Sequence, residues 1–517
     1  MARKPKTNGA APTTAQSLGS LMKSARDIMR KDKGLNGDLD RLPMLTWIMF
    51  LKFLDDLEGQ RENAAKAKGE KFRGAIEAPY RWRDWAAKAD GITGDELLAF
   101  INQDREAVRP DGSKGAGLFA YLRSLTGSNG DRRRDVIATV FKGVQNRMIN
   151  GYLLRDLFNK VDGIHFTASD ELHTLGSLYE SMLREMRDAA GDSGEFYTPR
   201  AVVRFMVKVT DPRLGESVLD PATGTGGFLV EAFEHLRAQV KTVGDRKKLQ
   251  SGSLLGCEPK PLPFLLGQMN LLLHGLDAPE IDPGNALRHK ISEIGERERV
   301  DVILTNPPFG GEEEKGIQGN FPADRQASET ALLFLQLIMR KLKRTPTVKE
   351  RYARAAVIVP NGTLFGDGVC ARIKGDLLRD FNLHTIVRLP EGVFAPYTLI
   401  PTNILFFDRS GPTKAVWYYE QPLPEGRRGY TKTRPMQFDE FADCQKWWEM
   451  REENDRAWTV SADELIASGC NLDQKNLRTK VDVKHLPPEE LVASIIAKEA
   501  RIAELMAEIQ SALRGRA

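Results

Sequence analysis

The middle of the chain alternates short apolar segments of strand length with longer segments whose apolar residues recur at helical spacing. The predicted strands are residues 217–220, 254–258, 300–305, 355–360, 384–390, 403–408 and 415–419. The predicted helices between them include residues 226–240, 262–276 and 329–344. This alternation predicts an α/β domain whose mainly parallel sheet is covered by helices on both faces. Its ligands are expected beyond the carboxyl ends of the strands, near the switch in strand order.

The N-terminal third of the sequence has a different pattern of apolar and charged residues. Residues 16–165 are predicted to form a helical domain, because their apolar residues recur at helical spacing between polar, glycine-bearing interruptions. Residues 1–15 are expected to be a disordered basic arm. Residues 1–160 hold 29 Lys and Arg against 20 Asp and Glu, whereas the remainder holds 46 against 51. The net charge of +9 over residues 1–160 fits a polyanionic partner such as nucleic acid, although an ordinary solvated surface explains this charge equally well.

Several classes of protein are excluded by simple features. No run of about 18 apolar residues is present, so no membrane span is expected. The four cysteines lie far apart without a Cys-x-x-Cys pair, which argues against a zinc site or a disulfide framework and fits a reducing cytoplasm. The histidines show no ligand spacing, so no metal site is predicted.

A glycine-rich turn is the strongest local signal. In VLDPATGTGGFLVEA (218–232), a strand ends at Asp220, glycines follow, and a helix begins near Phe228. Such a turn lets the backbone approach a ligand, and the amides at the helix start offer donors. The turn lacks the Gly-Lys-Ser/Thr of a phosphate-binding loop, which argues against an ATPase. Glu258 ends the next strand, where an acid binds ribose hydroxyls of an adenosine-containing cofactor; the alternative is a surface carboxylate before Pro259.

The second signal is TNPPFGG (305–311), directly after a predicted strand. Two prolines cannot continue a strand, so they fix a rigid turn at its carboxyl end. Asn306 then presents an amide at the ligand edge and Phe309 an aromatic face. An amide oxygen can accept a hydrogen of an exocyclic amine, and an aromatic ring can stack on a flipped base. The alternative is a purely structural Pro-Pro turn.

Together these residues resemble a known family. DPATGTGGF followed by NPPFG is similar to the signature motifs of amino-methylating DNA methyltransferases that use S-adenosylmethionine. EFYTPRAVVRFMV (195–207) lies upstream, as in a class of adenine-N6 enzymes. Over roughly residues 16–480 the arrangement resembles the modification subunit of a Type I restriction–modification system. The resemblance implies a Rossmann-like methyltransferase domain at 166–480, between the helical domain and a C-terminal helical tail.

The resemblance also implies roles for individual residues. The upstream cofactor-binding segment would comprise Glu195, Phe196, Tyr197, Thr198, Pro199 and Arg200. The remaining cofactor-binding residues would be Asp220, Ala222, Thr223, Gly224, Glu258 and Asn285, the last standing where many relatives place an acid. The catalytic residues would be Asn306, Pro307, Pro308 and Phe309.

The activity implied is site-specific methylation of adenine N6 in duplex DNA. Asn306 and the Pro307 carbonyl would accept the two amino hydrogens of a flipped adenine, and Phe309 would stack on that base. The implied partners are duplex DNA, a separate specificity subunit, a second copy of the chain and a translocating nuclease subunit, with no membrane involved. Two alternatives stay open: a methyltransferase acting on RNA adenine or protein glutamine, and a non-catalytic DNA-binding assembly subunit.

The tail, residues 481–517, is predicted to be one helix. Ile495, Ile502 and Ile509 repeat every seven residues, with Leu505 and Ala512 on an accompanying seam. Fewer than four heptads cannot distinguish a helix packed on its own domain from a coiled segment that binds a partner.

Overall fold

The computed structural model describes residues 15–88, 90–127, 132–164, 198–309, 311–348, 351–395, 398–431, 434–476 and 488–514. The chain divides into two compact units, residues 1–474 and 475–517. The first unit contains a helical N-terminal part and an α/β part built on one large sheet.

The helices are α1 (Ala15–Met29), α2 (Asp38–Ala67), α3 (Trp82–Trp85), α4 (Gly94–Asn102), α5 (Leu118–Ser124), α6 (Arg133–Lys142), α7 (Gly151–Asp162), α8 (Arg200–Thr210), α9 (Gly227–Arg237), α10 (Val243–Gln250), α11 (Pro261–Leu273), α12 (Lys315–Gln318), α13 (Thr330–Lys341), α14 (Gly362–Phe365), α15 (Val369–Asp380), α16 (Ala442–Met450), α17 (Ala462–Ala467) and α18 (Pro488–Arg514). The strands are β1 (Ala107–Val108), β2 (Lys114–Gly115), β3 (Val218–Asp220), β4 (Leu254–Cys257), β5 (Glu280–Asp282), β6 (Val302–Thr305), β7 (Arg354–Pro360), β8 (Asn382–Arg388), β9 (Thr402–Asp408), β10 (Ala415–Glu420) and β11 (Ala457–Ser461).

Nine of these strands form the central sheet, in the order β11-β10-β8-β9-β7-β6-β3-β4-β5. Seven of them run in one direction, while β9, inserted between β7 and β8, and β11, at one edge, run in the other. From β3 the chain moves outward to β4 and β5 and then returns to β6 on the other side of β3. The switch in strand order therefore lies between β3 and β6, where a ligand site is expected.

Both faces of the sheet are buried, which is why the strands are almost continuously apolar. Along β7, Ala356 and Ile358 join the core on the first face, while Val357 and Val359 join the core on the second. Helices α8, α9 and α11 cover the first face, and α13 and α15 cover the second. The first face is the one that continues into the helical N-terminal part.

The N-terminal part is held by an aromatic core. Trp47 of α2 and Trp85 of α3 pack edge-on against Phe158 of α7, with ring centroids 5.9 and 5.0 Å apart. This core is continuous with that of the first sheet face, and α2 and α6 contact α11. An ion pair at 2.8 Å between Arg132 and Glu280, at the start of β5, joins the two parts at the sheet edge.

The predicted mainly parallel α/β fold is confirmed, and all seven predicted strands are present within two residues of their expected bounds. Two strands of the central sheet were missed, β5 and the antiparallel edge strand β11, as were the two-residue strands β1 and β2 of the helical part. The boundaries predicted at 165/166 and 480/481 lie outside the described residues, as does nearly all of the predicted 1–15 arm, so these stay predictions. Among the described residues, no helix combines the length and apolar character needed to cross a bilayer.

The second unit contains α18, which falls within the predicted tail. Its exposed apolar side chains have 42–61% of their surface accessible: Val492, Ile495, Ile496, Ile502, Leu505 and Met506. Such a stripe matches the predicted heptad seam at Ile495, Ile502 and Leu505.

Candidate active site

The turn after β3 is closed by hydrogen bonds within and across strands. Gly224 and Gly226 adopt left-handed backbone angles (φ 54° and 82°), which side-chain-bearing residues rarely tolerate. The Thr223 hydroxyl donates to the Asp220 carbonyl at 2.7 Å and accepts the Cys257 N–H at 3.0 Å. The turn is thus tied to the end of β4, and α9 begins at its rim with amides available to a ligand.

Glu258 lies beside this turn, directly after β4. Its Oε2 accepts the Gly224 N–H at 2.9 Å, and its Oε1 accepts the Lys260 N–H at 2.9 Å. The residue is buried, and its own N–H donates to the Asp282 carbonyl at the end of β5. Each carboxylate oxygen still has acceptor capacity, so this side chain can accept hydroxyl groups while the backbone holds it in place.

Asp220 connects the glycine turn with the Asn-Pro-Pro-Phe turn. Its Oδ1 accepts the Ala222 N–H at 3.1 Å and the Thr305 hydroxyl at 2.7 Å. Burial raises the pKa of Asp220 to about 7, while those two hydrogen bonds oppose the rise and the nearby Glu258 charge adds to it. A cation at this place would favour the ionised form.

Asn306 presents an amide oxygen that nothing in the described part of the chain satisfies. Its Nδ2 donates to the Thr198 hydroxyl at 3.0 Å, whereas its Oδ1 is buried without a hydrogen-bond partner. An unpaired buried amide oxygen costs about 1–3 kcal/mol. That cost is recovered when a ligand donates a hydrogen to it, so Asn306 is built to accept an N–H or O–H.

Phe309 lies three residues after Asn306 in the same turn. It packs edge-on against Phe394, with the centroids 5.9 Å apart and the planes at 77°. Pro307 is buried and Pro308 half-buried, so the turn is anchored at its base. An aromatic ring held in this way offers a surface on which a planar base can stack.

The segment before α8 reaches both turns. Pro199 accepts the Val202 and Val203 N–H groups through its carbonyl and so starts α8. Arg200 donates from its guanidinium to the Gly227 carbonyl at 3.0 Å, and burial lowers the pKa of Arg200 to about 10, so it stays a cation at neutral pH. With the Thr198 contact above, two of the six predicted residues contact the turns, and Pro199 lies between them in the sequence. Glu195, Phe196 and Tyr197 lie outside the described residues.

Asn285 lies in the loop after β5. Its side-chain oxygen accepts the Leu287 N–H at 2.8 Å, and its carbonyl accepts the Arg288 N–H at 3.2 Å. The Asn285 oxygen is therefore engaged by its own turn, and a role in cofactor recognition stays a prediction.

Three residues that the sequence did not single out belong to the site. Thr305 carries the contact with Asp220, Phe394 holds Phe309, and Asn270 of α11 donates to the Thr225 carbonyl at 2.9 Å. The position of Thr305 next to Asn306 could have indicated its role, but nothing in the sequence marks Phe394 or Asn270. Burial raises the pKa of Cys257 to about 11, which disfavours its thiolate and argues against a nucleophilic role for it.

Comparisons with known proteins show the family to which the chain belongs. A family model described as N-6 DNA Methylase matches residues 170–485, more than half of the chain, and one described as HsdM N-terminal domain matches residues 18–161. The type I restriction enzyme EcoEI methylase subunit of Escherichia coli is 47% identical over 507 residues, which cover 96% of this chain and 98% of that protein.

Two solved structures resemble the chain over nearly its whole length. One, from Vibrio vulnificus YJ016, is described as a type I modification subunit; it has a TM-score of 0.87 and 68% identity over 92% of this chain and 100% of that one. Another, from work on the assembly and conformational transition of a type I restriction–modification system, has a TM-score of 0.73 and 39% identity over 98% and 100%. The chain therefore belongs to the N-6 DNA methylase family and is the adenine-specific DNA methyltransferase subunit of a type I restriction–modification system.

Proposed function

We propose that this subunit transfers the methyl group of S-adenosylmethionine to N6 of an adenine flipped out of duplex DNA, with Asn306, Pro307, Pro308 and Phe309 at the reacting base. The observation that carries the proposal is the buried, unpaired Asn306 Oδ1, which lies in the same turn as the half-buried Phe309. A flipped adenine supplies both an amino hydrogen for that oxygen and a planar face for that ring.

The proposed cofactor fits the residues around the glycine turn. Two buried carboxylates, Asp220 and Glu258, give the pocket a negative character that complements the positive sulfonium of S-adenosylmethionine. Glu258 retains acceptor capacity for ribose hydroxyls, and the left-handed Gly224 and Gly226 leave the backbone open to close approach. Bound there, the cofactor supplies an electrophilic methyl group.

The residues of the Asn-Pro-Pro-Phe turn act on the acceptor. An adenine amino nitrogen is a poor nucleophile because its lone pair is conjugated with the ring. Asn306 Oδ1 and the Pro307 carbonyl accept hydrogen bonds from its two N–H groups. These bonds favour the tetrahedral nitrogen required for in-line attack on the methyl group. The Asp220–Thr305 hydrogen bond ties this turn to the cofactor turn, so both reactants are held in one geometry.

The subunit is proposed to work in a cytoplasmic complex. Its expected partners are a specificity subunit that selects the target sequence, a second copy of the chain and a translocating nuclease subunit. Two observations support a multisubunit setting: the similarity to a chain solved in work on the assembly of a type I system, and the exposed apolar stripe of α18. The cytoplasmic location is supported by DNA as the proposed substrate and by the four free, widely spaced cysteines.

Tritiated S-adenosylmethionine and unmethylated genomic DNA test this proposal. The purified chain is compared with the chain co-expressed with its neighbouring genes, and the labelled base is identified by mass spectrometry. N6-methyladenine that forms efficiently only in the co-expressed sample is the expected result. Efficient sequence-specific methylation by the chain alone would contradict the dependence on a specificity subunit, and label confined to RNA or protein would contradict the substrate.

Asn306→Ala tests the catalytic assignment. Removal of one positioned hydrogen-bonding group at a reacting centre typically costs about 10²–10³ in turnover. We expect a loss of that size in methyl transfer by the assembled complex, with S-adenosylmethionine binding within about twofold of the unsubstituted protein because Asn306 lies outside the glycine turn. Retention of methyl transfer by Asn306→Ala would remove Asn306 from the mechanism.

A further inference from the structure

A basic segment lies at the carboxyl ends of the parallel strands, as the proposed site does. The described residues 421–431 and 434–437, here called the basic loop, follow β10 and contain three basic residues and one acidic residue. Because β10 runs parallel to its neighbour β8, the basic loop starts where the carboxyl ends of both strands lie. This is the edge that carries the turns after β3 and β6.

The basic loop is fixed at its base. The Gln421 N–H donates to the Arg388 carbonyl at 3.0 Å, and the Gln421 side chain donates to the Glu440 carbonyl at 2.7 Å. Tyr430 and Met436 are buried in the core of the first sheet face. These described residues of the loop are therefore held against the core.

Two of its arginines form no ion pair with the residues that the structure describes. Arg427 contacts Glu440 at 3.5 Å and lies over the Tyr430 ring, so it stabilises the loop itself. Arg428 and Arg434 are exposed, and neither has an ion pair within the described residues. The Arg434 backbone closes a tight turn with Thr431, which directs this residue away from the core.

The basic loop adjoins the proposed site directly. A Cβ placed on Gly392 would lie 3.4 Å from the Tyr430 carbonyl, so the loop touches the segment after β8. Two residues further on, Phe394 of that segment packs against Phe309. The segment after β8 therefore contacts both the basic loop and the ring on which the target base is proposed to stack.

The charge on the other side of the catalytic turn has the opposite sign. Glu312, Glu313 and Glu314 follow that turn, and the Glu313 N–H donates to the Ser328 carbonyl just before α13, on the second sheet face. The basic loop packs on the first face and keeps a positive excess even when the exposed Glu391 is included. A polyanion that reaches the site is repelled on one side and attracted on the other.

We propose that the basic loop binds the phosphate backbone of the DNA beside the flipped adenine, with Arg428 and Arg434 as the contact residues. Such contacts fix the position of a duplex without reading its sequence, a role that suits a subunit whose sequence recognition is assigned to another chain. The inference deepens the proposed function and rests on it for the identity of the DNA.

The double variant Arg428→Gln/Arg434→Gln tests this inference. Its matched control is Arg297→Gln/Lys414→Gln, which removes two exposed cations before β6 and β10, at the opposite edge of the sheet. Both variants are co-expressed with the neighbouring genes, and binding of a short fluorescent duplex is measured by anisotropy over a range of salt concentrations.

Each phosphate contact contributes a slope of about 0.9 to the dependence of log affinity on log salt concentration. The loop variant should therefore lose about 1.8 from that slope and bind the duplex about tenfold more weakly at physiological salt, while the control variant matches the unsubstituted protein. The KM for DNA should rise in parallel, with little change in turnover at saturating DNA or in S-adenosylmethionine binding.

An unchanged slope in the loop variant, or an equal loss in the control, would overturn the inference, the latter because only net charge would then matter. Failure of the proposed function has a different signature. The unsubstituted complex would form no N6-methyladenine, while the anisotropy data would still decide whether the basic loop binds the duplex.

Discussion

At the scale of single residues, the site depends on contacts between side chains far apart in the sequence. The motifs around Asn306, Asp220 and Glu258 were enough to propose an amide and a pair of carboxylates for the site. Their partners could not be proposed in this way, because Thr198 contacts Asn306 across 108 positions and Thr305 contacts Asp220 across 85. The parallel register of β3 and β6 brings Thr305 to Asp220, and the packing of the segment before α8 brings Thr198 to Asn306.

Thr198→Val should lower the turnover number of the assembled methyltransferase by about tenfold. The Thr198 hydroxyl accepts a hydrogen bond from Asn306 Nδ2 and so holds the amide with Oδ1 available to the adenine amino group. A hydrogen bond of this kind contributes about 1 kcal/mol. Thr198→Ser keeps the hydroxyl and should restore turnover, with the KM for DNA little changed in both variants. Equal turnover numbers for the Val and Ser variants in steady-state kinetics would show that Thr198 acts only by packing.

Asp220 should make the stability of the cofactor-free protein fall as pH rises toward 7. Its pKa is about 7 in the folded chain, against 3.8 for an ordinary aspartate, so between these values the folded state binds a proton that the unfolded state has lost. The stabilisation is fully present near pH 4 and is lost as the pH rises through 7. Asp220→Asn removes this dependence and still accepts from Ala222 and Thr305.

Thermal unfolding of both proteins at pH 5.5 and pH 8 measures the effect. The Asn variant should gain stability relative to the unsubstituted protein at pH 8, where Asp220 is ionised and buried. The same difference in melting temperature at both pH values would show that the Asp220 carboxyl has no raised pKa.

At the scale of elements, the strands that are buried on both faces could be predicted well, because each is a nearly continuous apolar run. The strands that were missed lack this signal. β5 has three residues with a single fully buried side chain, Ile281, and β11 is an edge strand with only Ala457 and Trp458 buried. The direction of β9 could not be predicted either, since a run buried on both faces gives no indication of its orientation.

β4 must pass close to the glycine turn, and Gly256 makes this possible. A Cβ on Gly256 would lie 2.4 Å from the Thr223 hydroxyl, which is buried and held by Asp220 and Cys257. Gly256→Ala should therefore displace Thr223, at a cost of about 1–3 kcal/mol, and weaken S-adenosylmethionine binding. In Gly316→Ala of α12 the added methyl group meets nothing within 4 Å, so this variant should match the unsubstituted protein.

Calorimetric titration with S-adenosylmethionine and thermal unfolding of both glycine variants provide the measurement. A Gly256→Ala protein that binds the cofactor normally would show that the turn does not depend on its approach to β4.

At the scale of the whole molecule, the sequence predicted a helical part and an α/β part but not how they join. The aromatic core of the N-terminal part is continuous with the first sheet face, and the Arg132–Glu280 ion pair closes the edge at β5. Neither feature has a periodic signal, because each consists of contacts between residues more than a hundred positions apart. The basic character of residues 1–160 was visible, yet the basic loop that adjoins the site lies beyond them.

Removal of residues 475–517 should separate catalysis from assembly. The first unit holds the complete described site, so the truncated chain should bind S-adenosylmethionine with unchanged affinity. An apolar stripe this exposed on a 27-residue helix is a feature of interaction surfaces, so the truncated chain should fail to co-purify with the products of the neighbouring genes. The full-length Ile495→Asp/Ile502→Asp variant should fail in the same way, because it charges the stripe and leaves the chain length intact. Normal co-purification of that variant would assign assembly to another surface and leave α18 without a role in the complex.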